Sequence, residues 1–153
     1  MHDLSADIVS TKSDSITYSL PDEYFVVFTA EVKFWLSCFG LYDWEVFFYF
    51  EPIDNGDRAQ CAYSYVDKIA RFILNSQPTE PRTLEDIKIS AKHEVCELVL
   101  GELCHLTRFR NIPEEELEIL LCSARHSVIH RFQYMLTQLK ERGILAENFD
   151  EEI

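Results

Sequence analysis

One stretch constrains this chain more than any other: Trp44 to Ile53 reads WEVFFYFEPI. Its aromatic and β-branched residues favour a strand. Trp44, Val46, Phe48 and Phe50 share one parity, while Phe47 and Tyr49 make the other parity apolar too. A strand of that kind is expected to be covered on both faces. Asp54-Asn55-Gly56-Asp57 follows, and Asn-Gly is the strongest short-range hairpin signal. A return strand is expected over about 58–66, where Ala59, Cys61, Tyr63 and Tyr65 alternate, and a third over about 69–74.

Helical patterns lie on either side. Pro21 with Asp22 and Glu23 reads as a helix start. Phe25, Phe28, Val32, Leu36 and Phe39 then recur at helical spacing, and Gly40 supplies the stop. After the loop Asn75–Pro81, Thr83 is a suitable N-cap with Asp86 three residues on. One helix is expected from there to about Arg110, a turn at Asn111-Ile112-Pro113, and a long helix over about 114–141 closed by Gly143. So short a turn leads to the expectation of an antiparallel helical hairpin. The fold class is therefore α+β: an N-terminal helix, a three-stranded antiparallel sheet with a hairpin, then two helices. Residues 1–18 read as a polar leader, 19–143 as the single domain and 144–153 as an acidic tail.

Composition narrows function. With 153 residues, 47% of them apolar, the chain has material for one packed domain. Fourteen basic residues against 27 acidic ones give a formal charge of −13. That charge opposes nucleic-acid phosphates and anionic membrane surfaces alike. No apolar run reaches a clean membrane span. The five cysteines sit in apolar runs with no C-x-x-C pair, which reads as reduced, buried thiols of a cytoplasmic protein and not as a zinc knuckle.

His93-Glu94-Val95-Cys96-Glu97 is the sharpest chemical signal. His93 and Glu97 stand one helical turn apart on one face. Imidazole and carboxylate both ligate zinc, and Glu94 beside them is placed to take a proton from a bound water. In an antiparallel hairpin His126 and His130 fall near the level of His93 and Glu97. His93, Glu97 and His126 would then form a ligand set of two histidines and one carboxylate. Binding by His130 as well would close the site. The competing expectation is structural. His93 would lie in a largely apolar stripe with Ile89 and Cys96, His126 would be buried without a metal, and Glu97 would be a solvated helix carboxylate or pair with Lys92 or Arg131.

The run AKHEVCELVLGEL, followed by RHSVIHRF, resembles small phage-encoded zincin-like proteins, whose motif helix reads H-E-x-x-E or H-E-x-x-H. The Trp44 strand and the Ala70-Arg71 strand fit the same layout, over about residues 22–140. Against the H-E-x-x-H motif, Glu97 replaces the second histidine. The resemblance implies a zinc-dependent peptidase-like protein, with Glu94 as general base and the third strand offering its edge to an extended substrate. His126 matches the ligand of the following helix. A phage origin would place it in the host cytoplasm. A different class of function is also open: an acidic binding or inhibitor protein, on a metal-free scaffold, that captures a basic host partner through its charge. Apolar positions left on the first and last helices would suit a dimer.

Overall fold

The computed structural model describes residues 17–106 and 112–145. The order is α1 (Asp22–Cys38), β1 (Glu45–Glu51), β2 (Ala59–Ser64), β3 (Ile69–Asn75), α2 (Leu84–Val99), α3 (Gly101–Leu106) and α4 (Glu114–Glu141). The class is α+β, with a mixed sheet between the first helix and the later ones. The expected leader falls mostly outside the described residues, as do most of the acidic tail and the turn residue Asn111. Tyr18 and Leu20 are described, and their N–H groups donate to Pro78 and Ser76 carbonyls at 2.9 and 3.0 Å.

Helix boundaries follow local chemistry. At the end of α1, Gly40 takes φ +65°. The Gly40 and Leu41 N–H groups return to the Ser37 and Leu36 carbonyls, satisfying the last turn as a Schellman motif. Gly143 does the same after α4 at φ +67°. Thr83 and Asp86 cap α2 reciprocally: the Asp86 N–H donates to the Thr83 hydroxyl, and the Thr83 N–H to the Asp86 carboxylate at 2.8 Å.

The sheet departs from a plain antiparallel meander. Its order is β1-β3-β2, with β1 parallel and β2 antiparallel to β3. β3 is the strand whose Ala70, Phe72 and Leu74 are almost wholly buried, so it gains most from the central position. The connection from β1 to β2 must therefore step across β3, two strand spacings or ~10 Å. A two-residue Asn-Gly hairpin cannot reach that far. Asn55-Gly56 instead makes a tight turn within the longer crossover, with Gly56 at φ +80° and its N–H on the Ile53 carbonyl. The true hairpin joins β2 to β3 through residues 65–68, with Lys68 at φ +55°.

One face of the sheet packs on α1 and α2. Phe28, Val32 and Leu36 of α1 meet Phe72 and Leu74 of β3 and Ile87, Ala91, Val95 and Leu98 of α2. Phe25 stacks on Phe50 at 5.3 Å. The expected cover on the second face is absent among the described residues: Phe47 and Tyr49 are exposed. Arg71 explains this. It stands on the central strand opposite Phe47, on the uncovered face, and burying its charge would cost more than two half-exposed rings lose.

The single helix expected over 83–110 is also broken, after Val99. Gly101 begins α3 under the Tyr63 ring, and a Cβ there would lie 2.9 Å from a ring carbon. Beyond the break, α4 lies against α1 and α3. Arg131 donates to the Phe39 and Gly40 carbonyls at 3.4 and 3.2 Å, a cation at a helix C-terminus. Its partner is thus α1 and not Glu97.

Candidate functional site

α2 runs beside the outer edge of β2, and between them lies a cleft of about 760 Å³. One wall is β2 with the end of the crossover, from Gly56 to Ala62. The other is the α2 face carrying Ile89, Ser90, His93, Glu94 and Glu97. Thr79, Glu80 and Arg82 close one end. A volume of that size suits a small molecule or a few residues of peptide.

Glu94 is the unusual group. α2 buries Ile87, Ser90, Ala91, Glu94, Val95, Leu98 and Val99, so the carboxyl lies on the packed face and is only 5% exposed. The Cys61 N–H of the strand edge donates to it. This follows from the ladder: Arg58 and Asn75 form a hydrogen-bonded pair, so Ala59 and Cys61 turn their backbone groups outward. Burial pushes the Glu94 pKa up to about 7, and the Glu97 charge adds to the rise. His93 and the Cys61 N–H oppose it, and Asp57 contributes a further small rise. The Cys61 thiol is held well above its ordinary value, by burial first and then by the charges of Glu94 and Glu97, so it is not a nucleophile.

His93 and Glu97 sit at the mouth, Nε2 to Oε1 3.2 Å, with side chains 67% and 52% exposed. His93 is thus on the solvent side of α2 and not in its apolar stripe, and the neighbouring Ile89 is exposed as well. Lys92 lies over the Trp35 ring at 4.9 Å, away from Glu97.

The structure brings His93, Glu94 and Glu97 together but places His126 and His130 elsewhere. The packed face of α4 carries Ala124 and, against the main core, Val128 and Met135. At 100° per residue, His126 points almost opposite to Ala124. It is exposed, and its Nδ1 lies 2.8 Å from the Cys122 carbonyl oxygen of its own helix. His130 lines a separate cleft with Phe39, Tyr42, Arg131 and Tyr134. The level pairing expected from a two-helix hairpin is not met: α4 packs against α3 and α1 and not along α2. His105 stacks on Tyr65 at 5.6 Å. All five cysteines are thiols; Cys38 is buried and Cys104 is exposed.

A catalytic zinc takes three protein ligands as a rule. Among the described residues no three of His, Cys, Asp and Glu are grouped to hold a metal ion. His93 and Glu97 are two suitable donors, one short of that number.

Residues outside the motif build the cleft. Asn75, 1% exposed, ties the crossover to β3. Its N–H donates to the Arg58 carbonyl, its Nδ2 to the Asp57 carbonyl at 2.9 Å, and its Oδ1 accepts from Ile53 and Gln77. A polar residue ending the apolar run IARFILN was the available signal. Compared with family models, curated proteins and solved structures, the chain matches none. Among the described residues no helix is long and apolar enough to cross a membrane.

Proposed function

We propose that the protein engages an extended polypeptide in the cleft between β2 and α2 and acts on it in the manner of a zincin-like peptidase. One observation carries this reading: a buried carboxyl, Glu94, is held by a backbone N–H of an edge strand that lines the cleft. The outward backbone groups of β2 beside Cys61, whose own N–H is taken by Glu94, give an extended peptide positions to join. The edge beside the cleft is that of β2; β3 is central and has none to offer. As a carboxylate, Glu94 accepts a proton from water entering the cleft while that water attacks a peptide carbonyl. The same proton can then pass to the departing amine. Zinc on His93 and Glu97 would supply Lewis acidity, but its third protein donor is not among the described residues, and no step is assigned to it.

The test is incubation of the full chain with a peptide mixture, with zinc added or chelated, and mass spectrometry of the products. Cleavage at preferred positions is expected, and Glu94→Gln should reduce it about a hundredfold or more. Equal cleavage by both proteins, or none by either, would reject the reading.

The shortage of donors favours a second reading, a metal-free binding protein of phage type whose −13 charge draws in a basic host partner. It requires capture without cleavage, unaffected by chelators and weakened by salt.

A further inference from the structure

The end of the cleft remote from Glu97 has a different chemistry. Arg58 stands just before β2 and Arg82 just before the Thr83 cap, and both line the cleft. Their backbones are anchored: the Arg58 carbonyl accepts the Asn75 N–H, and the Arg82 carbonyl accepts the Tyr24 hydroxyl at 3.3 Å. Burial lowers the Arg82 pKa first and the Arg58 charge lowers it further, while Asp86 and Glu80 pull the other way.

The nearby acids do not satisfy this pair. Asp86 is engaged by the Thr83 N–H and hydroxyl at 2.8 and 2.7 Å. Glu80 reaches Arg58 only at 4.0 Å, between two exposed side chains, a contact that a ligand can displace. Among the described residues the Arg82 guanidinium makes no hydrogen bond or ion pair, although it is half-buried. Two planar guanidiniums with open donors match a carboxylate, which Arg binds in bidentate fashion. The charge of −13 repels polyanions at long range and leaves a single, locally held carboxylate as the fitting ligand.

We propose that Arg58 and Arg82 form a carboxylate subsite that selects peptides bearing an acidic side chain or a free C-terminus. This rests on the peptide-binding reading above. Arg58, just before β2, and Cys61 are three residues apart along the chain, so the subsite lies roughly 10 Å from the level of Glu94, about three residues along an extended peptide.

The test measures binding and cleavage separately. Short dye-labelled peptides of Ser, Ala and Leu are titrated into the full chain by fluorescence anisotropy. They carry one Glu or Gln at the same place, with the C-terminus free or amidated. The same mixtures are then read by mass spectrometry. A carboxylate-bearing peptide should bind about tenfold more tightly than the amidated Gln peptide. The preference should disappear in Arg82→Gln and in Arg58→Gln, and survive in part in Arg82→Lys. Preference for the amidated Glu peptide assigns the side chain as ligand; preference for the free-acid Gln peptide assigns the terminus. Equal binding of all peptides, binding of none, or a preference retained in folded Arg58→Gln and Arg82→Gln would overturn the subsite. Cleavage without carboxylate preference would overturn the subsite and leave the peptidase reading standing. Preference without cleavage would uphold the subsite and reject the peptidase reading.

Discussion

A carboxylic acid on the packed face of a helix is costly, and Glu94 gives this chain a pH response near neutrality. In the metal-free protein its pKa rises from 4.5 to about 7. Between those values the folded chain holds a proton that the unfolded chain has released. Folding stability is therefore highest at the acid end of this window and falls as pH rises towards 7. At about 1.4 kcal/mol per pKa unit, at most ~3 kcal/mol is lost. Glu94→Gln should remove that slope, so that urea unfolding shows the variant gaining on the wild type between pH 5 and pH 8. Parallel pH profiles would show that Glu94 is not buried as described. Asn75 is the second decisive residue. Asn75→Ala strips three side-chain hydrogen bonds, two of them to the crossover, and should cost about 2–3 kcal/mol in urea unfolding.

At the scale of elements, the chain's local signals and its non-local ones separate cleanly. Pro21-Asp22, Gly40, Thr83 with Asp86, and Gly143 mark helix ends by chemistry confined to a few residues, and all four are where the sequence puts them. The three strand runs are equally readable. Strand order is not, because it depends on which apolar run gains most from the centre. Asn55-Gly56 makes a turn in either topology, so it cannot distinguish a hairpin from a crossover. The break after Val99 shows only as Gly101, whose role depends on a tyrosine from another element. Thr83→Ala should cost about 1 kcal/mol by thermal or urea unfolding, through loss of the capping box. No measurable loss would mean that α2 is held by its packing alone.

At the scale of the whole molecule, the candidate site was half legible. His93, Glu94 and Glu97 are local to one helix, and their shared cleft follows from helical spacing. Bringing in His126 and His130 needs α4 to run level with α2, and α4 instead lies against α1 and α3. His126→Ala and His130→Ala should therefore leave peptide affinity within about twofold, while His93→Ala lowers it. Equal losses in all three would place α4 at the site. Arg58 and Arg82 were unreadable as a pair, since only the crossover and the loop before α2 bring them together.

The most direct measurement is amide chemical-shift mapping of the full-length chain during titration with a peptide that it binds. The expected perturbations are at Ala59 to Ala62 of β2 and along α2 from Ile89 to Glu97, with Cys61 among the largest. Perturbations confined to the cleft of Phe39, Tyr42 and Tyr134, or to the outer face of α4, would contradict a peptide site beside Glu94.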